Sequence, residues 1–274
     1  MARVGLPYSV FAPITSEPEN APPAYGTAVP FNHPIEANIS YERADNPLYG
    51  GDTMAENDNS ITGGELSFNH THLTPSDKKA LLGHEEMGTA PNEYYVESGE
   101  PSPTGGFGYI TAEIEGGARK YNAFWIFKTQ LNMSEDNATT KADSIEWQTP
   151  TVSGPIMGVF IDNSGKPRFR AYQEFTSYAD AKAWLDAWAG IETVATPTAT
   201  PDAGAVAADS TVALACATDG AEIHYTTNGT TPTAASTKYT VPIAIDAAKT
   251  IKAIGVKAGM NNSAVLTAAY TIQA

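Results

Sequence analysis

The chain has 274 residues, with 31 Asp+Glu against 16 Lys+Arg and a formal net charge of −15. That length is a soft prior for two domains, and the charge argues against wrapping nucleic acid, which needs Lys and Arg to neutralise phosphates. Only 17% of residues are charged while Gly and Pro number 23 and 19, a balance that favours short strands and turns over long helices.

The charge is unevenly spread. From Thr193 on, the acids are Asp202, Asp209, Asp219, Glu222 and Asp246, and the bases are Lys238, Lys249, Lys252 and Lys257. That segment carries −1, so −14 of the −15 falls before it. The change coincides with the Thr/Pro/Ala run 193–204, read as a linker. The expected organisation is a domain over 1–192, a linker over 193–204 and a smaller domain over 205–274.

The N-terminal residues lack a continuous apolar run, so no signal peptide is read. The apolar stretch Pro155–Ile161 is far short of a membrane span. Cys216 is the single cysteine, so no intrachain disulfide can form, and its apolar surroundings suit a buried, inert thiol. The chain fits a reducing cytoplasm but does not require one.

Taken in chain order, the first domain reads as mainly β. Strands are expected over 6–14, 34–41, 65–72, 93–96, 107–115, 120–131, 144–148, 153–162 and 167–172. Between Tyr41 and Gly64 lies a long, polar, acidic stretch with Asp45, Asp52, Glu56 and Asp58, read as a loop; such length is uncommon unless the loop is functional. A helix is expected after Thr74-Pro-Ser-Asp77, which offers an N-cap, Pro at N1 and an acid three residues on, and Gly83 ends it. Along 107–115, Tyr109, Thr111, Glu113 and Glu115 alternate with Ile110, Ala112 and Ile114, giving one polar and one apolar face. Glu115-Gly-Gly-Ala118 then turns the chain into a hairpin. A second helix starts near Ser177; Ala181, Trp184, Leu185 and Trp188 recur at helical spacing and Gly190 stops it. The second domain offers five strands, over 211–217, 222–227, 239–245, 250–256 and 264–272, the spacing of a small β-sandwich.

Chemistry is sparse. His70-Thr-His72 places two imidazoles on one face of the expected strand, with His84 and Glu85 following, but zinc needs three or four convergent ligands. Asp52, Glu56 and Asp58 lack the ligand spacing and central glycine of a calcium loop. Glu113 and Glu115 share a strand face, yet a glycosidase pair must flank a pocket. No nucleophile elbow, P-loop or dinucleotide fingerprint occurs. The expectation is a non-enzyme with no metal and no cofactor.

Four features, in order, resemble the major tail tube proteins of long, non-contractile-tailed bacteriophages. They are Asn46-Pro-Leu-Tyr-Gly-Gly-Asp52 in the long loop, Leu81-Leu-Gly83 closing the short helix, the run from Thr140-Lys141 through Ile145 and Thr151 to Ser153-Gly154, and the terminal helix Tyr178-Ala-Asp-Ala-Lys-Ala-Trp-Leu185. The second Gly in Tyr49-Gly-Gly-Asp52 departs from that family's usual pattern. The resemblance implies a β-sandwich or half-barrel that joins its neighbours into rings, most often hexameric, stacked around a tape measure protein and closed by tail terminator and tail tip proteins. It implies a virion protein made in the host cytoplasm. It further implies that the loop, with Asp45, Tyr49, Asp52, Glu56 and Asp58, reaches a neighbouring subunit, and that Glu113 and Glu115 face a lumen through which DNA passes without specific binding. An acidic wall repels phosphate and would let DNA slide.

Residues 205–272 resemble a different family. Ala221-Glu-Ile-His-Tyr-Thr-Thr-Asn-Gly-Thr-Thr-Pro-Thr233, Tyr239–Ile245 and Thr250-Ile-Lys-Ala253 look like the immunoglobulin-like module at the C-terminus of chitobiases and hexosaminidases. In that family the module is not catalytic. As tube decoration it would have host-surface glycans as its candidate partner. The competing expectation is a carbohydrate-binding or glycan-processing accessory protein, for which exposed aromatic platforms are required; the second domain has only Tyr225, Tyr239 and Tyr270, and no Trp.

Overall fold

A computed structural model describes residues 2–31, 33–50, 53–89, 91–97, 99–133 and 149–273. The chain divides into two compact units, Met1–Gly190 and Ile191–Ala274. The strand expected over 144–148 lies outside the described residues.

The first unit runs β1 (Ala2–Ser16), β2 (Ala24–Tyr25), β3 (Val29–Phe31), β4 (Pro34–Arg43), β5 (Asn46–Gly50), β6 (Thr53–Asp58) and β7 (Ile61–His70). Helix α1 (Pro75–Leu82) follows, then β8 (Glu85–Met87), β9 (Tyr94–Val96), β10 (Thr104–Glu115), β11 (Ala118–Gln130), β12 (Thr151–Ile156), β13 (Arg170–Phe175) and α2 (Tyr178–Trp188). Nine strands form one sheet in the order β2-β1-β10-β11-β12-β7-β4, with β3 added to β1 and β13 added to β11. The β10–β11 hairpin turns at Gly116 and Gly117, both at positive φ, as expected.

Strand β10 is buried on both sides. Phe107 and Tyr109 join Phe11, Leu66, Phe68, Leu81, Phe124 and Val152 in one core, so β4, β7 and β12 fold over this face. The other face, with Ile110, receives α2. A Cβ on Gly108 would lie 2.6 Å from the Leu185 side chain and 2.7 Å from that of Trp125, so the missing side chain is what admits the helix. Gly154 of β12 is tighter still: a Cβ there would sit 1.9 Å from the Gln130 carbonyl oxygen of β11.

Both helices start where their caps predict. Thr74 and Asp77 complete a reciprocal capping box, and Gly83 ends α1 in the left-handed region. Ser177 caps α2 through the Asp180 N–H. Ala181, Leu185 and Ala189 are buried, and Trp184 and Trp188 pack edge to face 6.1 Å apart. One contact is polar. Asp186 is 1% exposed, the Tyr8 hydroxyl of β1 donates to it at 2.6 Å, and Lys182 pairs with it. A second, half-buried phenol, Tyr25, accepts from Trp125 Nε1 at 3.1 Å and donates to the Phe127 carbonyl at 2.8 Å.

Two expectations are corrected here. The stretch 42–63 is not an irregular loop: β4 and β7 extend into it, and β5 and β6 pair antiparallel from Asn46↔Asp58 to Gly50↔Thr53, with a bulge at Leu48/Tyr49. The sequence over 46–58 carries no strict period-two alternation of polar and apolar residues from which a strand pair could be read. The strand expected over 65–72 starts earlier and stops at His70, and His72 lies beyond it, exposed; the two imidazoles do not share a strand face.

The second unit is a small sandwich. It comprises β14 (Thr198–Thr200), β15 (Gly204–Val206), β16 (Ser210–Ala215), β17 (Glu222–Thr226), β18 (Thr237–Lys238), β19 (Ile243–Ile245), β20 (Lys249–Val256) and β21 (Leu266–Ile272). A three-stranded sheet, β14-β16-β19, packs on a five-stranded one, β15-β21-β20-β17-β18, through Val212, Leu214, Ile245, Ile251 and Tyr270. The expected linker 193–204 is instead built in. Val194 N–H donates to Asn261 O, Ala195 N–H to Thr218 Oγ1, and β14 pairs with β16. Its Thr/Pro/Ala composition marks an edge strand as readily as a linker. Cys216 is half-buried, with Sγ donating to Ala195 O at 3.2 Å.

Gly154→Ala should lower the melting temperature more than Gly108→Ala, because its clash is with backbone; about 1–3 kcal/mol is the scale of such overpacking, read by thermal denaturation of the full chain. Burial pushes the Tyr8 hydroxyl above its ordinary value and Asp186 adds to it; burial does the same for Tyr25. Both phenols are therefore neutral in the fold at pH values where the unfolded chain ionises them. The stability they contribute is complete below about pH 10 and is lost as pH rises beyond it. Tyr8→Phe should cost about 1–3 kcal/mol at neutral pH, by leaving buried Asp186 a donor short, and should give a shallower alkaline decline. An unchanged neutral-pH melting temperature would contradict this role.

Candidate functional site

Three surfaces of the first unit stand out. The first is the arm. Beyond Arg43 and Ile61 the hairpin leaves the nine-stranded sheet and continues as the separate ribbon β5–β6. At ~3.3 Å per residue it is about 26 Å long over 44–60. Its base is pinned by Ala44 N–H to Ser60 O at 2.8 Å, Arg43 to Asn59 O at 3.1 Å and Ser60 N–H to Asp58 Oδ1 at 3.0 Å. Of the expected contact residues, Asp45 lies exposed at the base, Tyr49 is in β5, and Glu56 and Asp58 are in β6. Asp52 lies outside the described residues.

The second surface is the open edge of β4. This ten-residue strand pairs with β7 on one side and has no strand on the other among the described residues. Such an edge presents a row of N–H and C=O groups able to pair with another chain.

The third is the outward face of β4, β7 and β12. Register places Glu36, Asn38, Ser40 and Glu42 opposite Asn69, Ser67, Glu65 and Gly63, and Ser67 and Asn69 opposite Ser153 and Thr151. Ala37, Ile39, Leu66, Phe68 and Val152, which alternate with them, face the core. The outward residues are thus small, polar or acidic, with three carboxylates and no Lys or Arg. Asn69 donates to Glu36 at 3.5 Å and accepts from Thr151, holding the side chains across the strands.

The expected lumen pair does not share such a face. Glu113 is 8% exposed, on the side of β10 that carries Phe107 and Tyr109. Its alternation with Ile110 and Ala112 reflects a strand buried twice, not a core face and a wet face. Glu115 is exposed, but Lys120 binds it at 2.7 Å and Glu174 at 2.9 Å, and the Lys120 ammonium draws the Glu115 carboxyl below its ordinary range. The β4-β7-β12 face was missed although Asn38/Ser40 and Glu65/Ser67/Asn69 alternate with apolar residues in the sequence. Short Ser and Asn side chains attract less notice than an acidic run.

Among the described residues no group of His, Cys, Asp and Glu could hold a metal ion, and no helix is long and apolar enough to cross a membrane. His70 is buried between Phe31 and Phe68, with Nδ1 2.6 Å from the His72 carbonyl.

In the second unit, Tyr270 is buried and donates to Pro201 O at 2.7 Å, while Tyr225 and Tyr239 pack edge to face 6.2 Å apart against the core. The three tyrosines are spent on packing. Residues 201–267 match the family model of the chitobiase/beta-hexosaminidase C-terminal domain. The second unit is similar to that module. The match carries the resemblance drawn from Tyr225-Thr-Thr-Asn-Gly229, and the sandwich of three and five strands accords with it. The matched residues lie entirely within the second unit. No curated protein matches the chain.

Proposed function

We propose that the chain is a structural subunit of a phage tail, the major tail tube protein, and that the second unit is a decoration. Subunits join into rings, expected to be hexameric, which stack around a tape measure protein between tail tip and tail terminator proteins; DNA later passes through the lumen. The observation that carries the reading is a ten-residue edge strand, β4, that runs on into a separate two-stranded ribbon. Among the described residues no further strand pairs with either feature, and both suit a neighbour. An edge left open is an aggregation liability unless a specific partner pairs with it, and closure of a sheet across subunits removes the edge. The ordered tail-tube motifs support the same reading. The outward β4-β7-β12 face supplies the acidic, weakly hydrogen-bonding wall that moving DNA requires.

The alternative, a carbohydrate-binding or glycan-processing accessory protein, draws support from the module match, but the inward packing of Tyr225, Tyr239 and Tyr270 weighs against a sugar platform.

Two deletions test the reading. Replacing 46–58 by a two-residue Asn-Gly turn should leave the melting temperature of the sheet nearly unchanged and abolish tube formation under electron microscopy. Tubes of normal length from that variant would refute the arm's role. Removing 191–274 should leave tubes intact and thinner. Loss of assembly from a still-folded first unit would refute the decoration role.

A further inference from the structure

Two patches of the first unit carry large exposed side chains on sparsely paired strands. One lies on β13, which among the described residues pairs with β11 alone and so leaves an edge open. Tyr172 there is 69% exposed and ends a row of rings: Tyr109 stacks on Phe124 at 4.9 Å, and Phe124 on Tyr172 at 6.1 Å. The Arg170 guanidinium lies over Phe124, Tyr172 and Tyr41, at 4.9, 5.5 and 5.6 Å from the ring centres. No carboxylate pairs with it among the described residues. A guanidinium held flat by rings has already lost much of its rotamer freedom, so less is lost when a carboxylate arrives. Tyr172 is exposed and Arg170 half-buried beside it, and Tyr and Arg are the residue types that anchor protein interfaces.

The other patch is the ribbon β8–β9. It stands as a separate two-stranded sheet, and a lone ribbon of that kind is marginal in water. Met87 and Tyr94 are cross-strand partners, 41% and 57% exposed. Glu85, two residues before Met87, shares their face and has no ion-pair partner among the described residues. Glu86 points the other way and is held by Lys79 at 2.8 Å. No Lys or Arg occurs from Ala80 to Ala118.

We propose that the β8–β9 ribbon of one copy docks on Arg170 and Tyr172 of a second copy. Glu85 accepts from the Arg170 guanidinium, and the Met87–Tyr94 pair covers the Tyr172 ring. Complementarity selects a second copy as the occupant: an acidic ribbon with an apolar centre meets a cationic patch with an aromatic centre on the same chain. The two halves differ, so the contact is heterologous; each docked copy retains one free half and growth continues past the dimer. The choice of occupant rests on the self-assembly reading above, but the contact can fail while that reading stands.

The test uses two full-chain variants. The patch variant is Arg170→Gln with Tyr172→Ser, and the ribbon variant is Glu85→Gln with Tyr94→Ser. Thermal melting checks that each folds; should the patch variant fail, Tyr172→Ser alone replaces it, since that ring is mostly solvent-exposed. Sedimentation velocity then follows association up to the solubility limit. Each variant alone should associate at least about tenfold more weakly than the parent, the scale of losing one charge-assisted anchor. Mixed one to one, they should form heterodimers that stop at two, because each supplies one intact half. Parent-like association of either variant, no heterodimer from two folded variants, or a parent that stays monomeric throughout would overturn the proposal. Tubes that form normally from both variants would overturn this contact and leave the tail-tube reading intact.

Discussion

Strand β10 has no free face, and the arrangement of the first unit follows from that. Phe107 and Tyr109 demand cover on one side, which β4, β7 and β12 provide by folding over them. Gly108 opens the other side to Leu185 and Trp125, and α2 fills it. Burial of this many large side chains is the main favourable term available to a chain with so few charged residues. With both faces of the central hairpin spent on the core, the polar surfaces must lie on the outer strands. There the outward face of β4-β7-β12, the open edge of β4 and the arm occur together.

The same constraint explains the role of the buried polar groups. Asp186 on α2 would be costly to bury alone. Tyr8 from β1 and Lys182 from the helix itself satisfy it, so the helix is fixed in position as well as stabilised. Trp125, Tyr25 and the Phe127 carbonyl make a comparable relay on the same side of the sheet. Specific hydrogen bonds of this kind select one seating for an amphipathic helix where apolar burial alone would allow several.

Much of this was legible in the sequence where the signal is local. Thr74–Asp77 and Ser177 give both helix starts, Gly116-Gly117 gives the central hairpin, and the Tyr225–Gly229 run gives the second module. What depends on long-range packing was not legible. Glu113 reads as part of a wet face until Phe107 and Tyr109 are seen to be covered. The arm reads as a loop because its residues show no strict polar/apolar alternation. The 193–204 run reads as a linker because an edge strand such as β14 tolerates Thr and Pro. The outward face of β4-β7-β12 is plain in alternating Asn, Ser and Glu, but its direction is set only by which strands lie across from it.

The central claim is that β4 and the arm are completed by other copies of the chain. Electron microscopy of the concentrated, incubated full-length protein tests it most directly. Hollow, regularly striated tubes with six-fold end views are the result expected. Particles of one small, fixed size at every concentration, with no hollow ends, would contradict it.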